Sequence, residues 1–209
     1  PQWGGPGRDF VAPAGELARG WPEAGPPTVW SRALGEGYSA VVYEQGRLYT
    51  MYRSGGDEVV VALDAETGET IWEHRYAQAP PPTLLPQWGL GPRSTPLLAG
   101  GRLFTVGVAG RMLALDKTDG SELWRRELWG EALAGRPRGN GYSSSPVAWR
   151  DWVIVPVGAA DAGVVAFDQA DGTVVWRSPG FETSYSSPAI VELAGRLQLL
   201  TFMAEELIA

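Results

Sequence analysis

Apolar positions in this chain come in short runs broken by turn residues, not at the spacing of an amphipathic helix. Val59-Val60-Val61-Ala62-Leu63 is one such run, set between Gly55-Gly56 and Asp64. Runs of this length, rich in β-branched residues and bounded by Gly, Asp and Pro, predict β-strands. Four segments begin at a turn and continue as strand: Gly46-Arg47-Leu48-Tyr49-Thr50, Gly101-Arg102-Leu103-Phe104-Thr105, Asp151-Trp152-Val153-Ile154-Val155 and Gly195-Arg196-Leu197-Gln198-Leu199. A short segment precedes each: Ser39-Ala40-Val41-Val42, Thr95-Pro96-Leu97-Leu98, Ser145-Pro146-Val147-Ala148 and Ser187-Pro188-Ala189-Ile190.

The strands fall into a repeat. Ala62-Leu63-Asp64-Ala65-Glu66-Thr67-Gly68 leads to Trp72, Ala114-Leu115-Asp116-Lys117-Thr118-Asp119-Gly120 leads to Trp124, and Ala166-Phe167-Asp168-Gln169-Ala170-Asp171-Gly172 leads to Trp176. The Ala, Asp, Gly and Trp of successive copies are each 52 residues apart. Each copy reads as a β-hairpin, in which Asp bonds turn N–H groups and Gly supplies the positive φ of a bulged loop. A unit of four short strands in about fifty residues is the size of a propeller blade. A β-sandwich also has short strands but not this strict repetition. The predicted fold is therefore an all-β propeller of four-stranded blades.

The A-x-D-x-x-[TD/N]-G-x-x-x-W pattern resembles the tryptophan-docking motif of the PQQ-repeat (pyrroloquinoline-quinone-like) propellers. These include the quinoprotein alcohol dehydrogenases and the BamB-type lipoprotein of outer-membrane barrel assembly. The resemblance covers roughly residues 28–209. It implies that Trp72, Trp124 and Trp176 are inter-blade staples, surrounded by Ala62, Gly68, Ala114, Gly120, Ala166 and Gly172.

Trp30-Ser31-Arg32-Ala33-Leu34 aligns with the strands that begin at Trp72 and Trp124, which predicts an orphan outer strand able to close a ring. Glu206-Leu207-Ile208-Ala209 matches the strand that enters the motif. Three full blades and part of a fourth make about half of a seven- or eight-bladed ring, so the expectation is a piece of a longer propeller. Open blade edges would then favour self-association. Residues 1–27, with Pro1-Gln2-Trp3-Gly4-Gly5-Pro6-Gly7-Arg8-Asp9 and four further prolines, read as an irregular leader. The leader is similar to the W-x-G-P-x-R-D leader of bacterial PQQ-repeat proteins, which implies a periplasmic or secreted location.

Composition narrows the function. The 28 Gly and 17 Pro agree with many turns, and the net charge of −7 without a Lys/Arg cluster argues against nucleic acid as the main partner. No apolar run is long enough for a membrane span. With no Cys and a single His, His74, the chain has no thiolate site, no Cys nucleophile and no multi-His metal site. Asp64, Asp116 and Asp168 read as turn caps, the alternative being carboxylate catalysts or Ca²⁺ ligands. No hydrolase, zincin, Walker or Rossmann motif is present.

The loops from each Trp strand to the next inner strand carry the more unusual residues. Tyr38, Trp88, Arg93, Arg136, Arg138, Asn140, Tyr142 and Tyr185 form a candidate aromatic and cationic rim, suited to a small anionic ligand or a peptide. The competing reading is that Tyr-Ser-Ser-Pro is the repeat's way of starting an inner strand. Two functions follow from the resemblance, and a third, a sensor or carbohydrate-binding propeller, follows from the aromatic rim alone. The first is a non-catalytic scaffold of the cell envelope that binds a protein, a peptide or a small ligand and needs no cofactor. The second is a PQQ- and Ca²⁺-dependent dehydrogenase whose site another part of the ring completes. The family's Ca²⁺ site uses Glu and Asn, and Asn140 is the only Asn here.

Overall fold

In the computed structural model the described residues are 1–11, 15, 20–136 and 139–209. They form four antiparallel sheets in chain order, with one 3-10 turn at Pro86–Trp88 and no α-helix. The first sheet is β1 (Val42–Glu44), β2 (Arg47–Ser54), β3 (Asp57–Asp64) and β4 (Thr70–Ala77). The second is β5 (Leu97–Ala99), β6 (Arg102–Val106), β7 (Arg111–Asp116) and β8 (Glu122–Glu127). The third is β9 (Val147–Trp149), β10 (Trp152–Ala159), β11 (Ala162–Asp168) and β12 (Val174–Arg177). The fourth holds β13 (Ala189–Leu193), β14 (Arg196–Phe202) and the short β15 (Leu207–Ile208). Each strand pairs with its chain neighbour, the up-and-down order of a propeller blade. The first strands start later than the apolar pattern predicts, at Val42, Leu97, Val147 and Ala189, because the Pro of the last three segments has no N–H for the ladder.

Because the middle strands are covered on both faces, they read as continuous apolar runs instead of alternating ones. In β3, the residues from Glu58 to Leu63 are all buried. The sheets pack face to face through three shared cores. Tyr49, Met51, Val60 and Trp72 of the first sheet meet Leu98, Leu103, Leu113 and Leu115 of the second. Phe104, Met112 and Trp124 of the second meet Val153, Val155, Val165 and Phe167 of the third. Val147, Ile154 and Val164 of the third pack with Met203 and, from β13 and β14, Ile190 and Leu199.

The repeat motif is the joint between sheets. Asp64 Oδ1 accepts from the backbone N–H of Glu66 and Thr67, both at 2.9 Å, and from the Thr67 hydroxyl. Asp116 and Asp168 accept in the same way from Thr118 and Ala170, each at 2.7 Å. The turn N–H groups hold the Asp64 carboxyl below the usual range. Each hairpin then shifts register at the motif Ala, between Ala62/Leu63, Ala114/Leu115 and Ala166/Phe167. This bulge aims the next Trp out of its own sheet.

Trp30 lies on Gly68, Trp72 on Gly120 and Trp124 on Gly172, each ring so close that a Cβ on the glycine would sit 2.5–2.7 Å from it. Each of these three indole N–H groups donates to the carbonyl that follows the motif Asp of the next unit. Trp30 reaches Ala65 O at 3.1 Å, Trp72 reaches Lys117 O at 3.2 Å and Trp124 reaches Gln169 O at 3.0 Å. Burial of an indole removes roughly 150–250 Å² of surface from water, so each joint is a large apolar contact with a built-in register. Two expectations are modified. Trp30 docks like the others, but the 30–34 segment pairs with no strand among the described residues; the first bridge is Glu36 with Arg53. Trp176 has no docking glycine among the described residues and is half-buried beside Ala166 and Ile208.

A second staple has no counterpart in the sequence reading. The basic residue two positions after each docking Trp also crosses to the next unit. Arg32 donates to Gly68 O at 2.8 Å, and Arg126 to Gly172 O at 2.7 Å and Asp171 O at 3.0 Å. His74 Nε2 lies 3.8 Å from Glu122. The signal was present as Trp-x-Arg, Trp-x-His and Trp-x-Arg, and only the packing shows its meaning.

Candidate functional site

The segments that lead into the inner strands are joined in a relay. Ala40 N–H donates to Thr95 Oγ1 at 3.3 Å, Thr95 N–H to Ser145 Oγ at 3.0 Å, and Ser145 N–H to Ser187 Oγ at 2.8 Å. The hydroxyl before each Pro thus satisfies a backbone donor of the preceding unit. Thr95 and Ser145 N–H sit just before a Pro that interrupts the ladder, and Ala40 N–H lies at the matching place of the first unit, which has no Pro. The Thr-Pro and Ser-Pro segments thus carry a repeated contact between units, alongside the loop residues of the rim.

Four of the rim residues converge. Tyr38, Trp88, Arg93 and Asn140 line one open cleft of about 280 Å³. Arg93 is the centre of this group. Its guanidinium stacks 5.2 Å from the Tyr38 ring and donates through Nη2 to Trp88 O at 2.7 Å and Gly89 O at 3.2 Å. Its Nη1 is buried and has no acceptor among the described residues. The 3-10 turn at Pro86–Trp88 presents the Trp88 ring to solvent, and Glu36 fixes the same loop by accepting from Leu90 N–H at 3.1 Å. Tyr185 joins from the next unit, its hydroxyl accepting from Asn140 N–H at 3.1 Å. Arg93 and Tyr185 also line a second, adjacent cleft of about 550 Å³.

Three rim residues stand differently. Tyr142 is not on the rim: it is buried, and its hydroxyl donates to Pro156 O at 3.0 Å. Its ring packs 5.9 Å from Trp129, and the apolar surroundings push the phenol far above its usual pKa. An aromatic after a Gly in a loop has the same sequence appearance whether it points outward or inward. Arg136 lines a separate cleft of about 480 Å³ with Phe181, Glu182 and Thr183. Arg138 lies outside the described residues.

Sequence reasoning did not anticipate where the leader goes. Pro1 O accepts from Leu98 N–H of β5 at 2.8 Å. Arg8 reaches the third unit, donating to Pro146 O at 3.0 Å and Ser145 O at 3.5 Å. Burial lowers the Arg8 pKa to about 10. Trp3 is clamped between Phe10, edge-on at 4.8 Å, and the Arg8 guanidinium at 5.9 Å. The leader thus runs along the inner strands of two units and places Trp3 in the wall of the second cleft.

Among the described residues no group of three or more His, Cys, Asp or Glu could hold a metal ion. The single Asn, Asn140, makes its contact through its backbone N–H to Tyr185.

Four-stranded blades joined by Trp-on-Gly docking define the chain as a PQQ-type β-propeller. The chain belongs to the family described as outer membrane protein assembly factor BamB, whose model matches residues 18–178 and 56–209. The outer membrane protein assembly factor BamB of Salmonella typhimurium is 31% identical over 121 residues, which cover 52% of this chain and 28% of that protein. The quinoprotein alcohol dehydrogenase PedH of Pseudomonas putida is 26% identical over 136 residues, 63% of this chain and 22% of that protein. The chain thus spans about a quarter of the length of these relatives. Among solved structures, BamB from Moraxella catarrhalis superposes with a TM-score of 0.51 at 20% identity, covering 77% of this chain and 44% of the other. The quinohemoprotein alcohol dehydrogenase ADHIIG from Pseudomonas putida HK5 gives 0.50 at 23% identity, covering 73% and 22%. These likenesses support the fold.

Proposed function

We propose that the chain is a non-catalytic binding scaffold of the cell envelope, periplasmic or secreted, that takes its ligand at the rim around Arg93. The observation that carries this reading is the convergence of Tyr38, Trp88, Arg93 and Asn140 on one open cleft, where the Arg93 guanidinium has a buried Nη1 without an acceptor among the described residues. An unmade charged hydrogen bond beside exposed aromatic faces suits a small organic anion or a peptide carboxylate. The similarity to proteins named for outer-membrane protein assembly supports the envelope setting. No helix among the described residues is long and apolar enough to cross a membrane.

The dehydrogenase relative motivates one competing reading, a PQQ- and Ca²⁺-dependent enzyme whose site is completed outside these residues. One pair of experiments separates the two. A library of small carboxylates and aromatics is screened by ligand-observed NMR against the chain and its Arg93→Ala variant, and PQQ with Ca²⁺ is titrated calorimetrically. The scaffold reading expects anionic hits that weaken in Arg93→Ala and no PQQ binding. Hits indifferent to Arg93, or stoichiometric PQQ uptake, would overturn it.

A further inference from the structure

The second cleft differs from the first in one respect: part of its wall comes from the leader. Its volume, about 550 Å³, falls in the range of roughly 300–1,000 Å³ typical of small-molecule sites. Three kinds of group face it. Arg93 brings a positive charge that makes no ion pair within 4 Å among the described residues, with Nη1 unsatisfied. Trp3 and Tyr185 bring flat, partly exposed aromatic surface. Serines supply hydroxyls. Those of Ser145 and Ser187 accept from the backbone relay, and Ser143 and Ser186 add two more to the lining.

A cation, several hydroxyls and aromatic walls together match one ligand class better than a purely aromatic acid or an inorganic anion. We propose that this cleft binds a hexuronic acid, its carboxylate on Arg93, its ring hydroxyls on the serines and its apolar ring face on Trp3 and Tyr185. The leader is then part of the site. Arg8 does not line the cleft, but its bonds to Pro146 O and Ser145 O hold the leader against the inner strands, and its guanidinium supports the Trp3 ring. Arg8 is thus a positioning residue that acts through Trp3. The assignment rests on the rim reading above and names the ligand class of its second cleft.

The test is calorimetric titration of the chain with D-galacturonate, with D-galactose as the neutral analogue. The variants are Arg93→Ala, Trp3→Ala and Arg8→Ala, each checked for native far-UV circular dichroism and melting temperature. Galacturonate should bind at least about tenfold more tightly than galactose, and Arg93→Ala should abolish that difference, as loss of a charged contact implies. Trp3→Ala and Arg8→Ala should each weaken galacturonate by about threefold to tenfold, the scale of one lost aromatic face. Hydrogen exchange of Leu98 N–H, bonded to Pro1 O, reports leader docking without any ligand and should quicken in Arg8→Ala. Absence of galacturonate binding at about 10 mM, weaker than any useful affinity, would overturn the sugar assignment while other anions bound at Arg93 would leave the rim reading intact. Binding that ignores Trp3 and Arg8 would overturn the leader's role. Ligands that all ignore Arg93 would sink both.

Discussion

Gly120→Ala tests the inter-sheet joint most directly, because Gly46 supplies a matched control. Both glycines have left-handed backbones, with φ of +77° at Gly120 and +78° at Gly46. A Cβ at Gly46 would meet nothing within 4 Å, whereas at Gly120 it would sit 2.5 Å from Trp72 Cε3 and 2.8 Å from Cδ2. The backbone term is shared and amounts to roughly 1–2 kcal/mol, less the common gain of about 0.4–1 kcal/mol from a stiffer unfolded chain. The clash is specific to Gly120. Trp72 is 8% exposed and tethered through Nε1 to Lys117 O at 3.2 Å, so its ring has little room to retreat. Overpacking of this kind costs about 1–3 kcal/mol. Gly120→Ala should therefore be less stable than Gly46→Ala by that amount, which for a chain of this size is a gap of roughly 2–12 °C in melting temperature. Urea unfolding followed by tryptophan fluorescence and by far-UV circular dichroism measures it, provided the two probes coincide. In a Trp72→Ala background the gap should close. Equal losses for the two glycine variants, or a gap that survives removal of Trp72, would refute the docking argument.

Two further outcomes follow from the joints. Arg126→Ala should cost about 1–2 kcal/mol, less than the sum of two charged hydrogen bonds because the guanidinium is partly open to solvent; Arg177→Ala, with one contact of 3.5 Å to Ala132 O, should stay within about 0.5 kcal/mol of wild type. Glu58 gives a pH dependence. Its carboxylate reaches the second sheet, accepting from Val108 N–H at 2.8 Å and from Tyr76 OH at 2.7 Å, yet burial still raises its pKa above the usual value. Folded protein therefore holds the proton longer than unfolded chain, so Glu58 contributes stability below the carboxylate's ordinary pKa that is lost as pH rises through the folded value. Comparison of wild type with Glu58→Gln by urea unfolding from pH 4 upward should show wild type losing ground to the variant across that window; a constant difference would refute it.

The site was only partly legible from sequence. Arg93, Tyr38, Trp88 and Asn140 were nameable as loop residues, but their convergence depends on how two units pack side by side, and sequence spacing does not encode that distance. Tyr142 shows the opposite failure. Its loop context suggested exposure, and the contact of its ring with Trp129 and of its hydroxyl with Pro156 O draws it into the core.

The fold itself was determined by local signals. Strand-length apolar runs, turn glycines and a motif repeating every 52 residues specify hairpins and blades, because φ preference, Asp capping and period are properties of a few adjacent residues. The docking partners were decided only in three dimensions. Trp72 must lie on Gly120, 48 positions away, and that contact exists only once one sheet stacks on the next. The same holds for the leader. Nothing in Pro1-Gln2-Trp3 predicts a bond to Leu98 or a place in a cleft wall, because an irregular segment without periodicity takes its course from the surface it meets, here an inner strand with a free N–H.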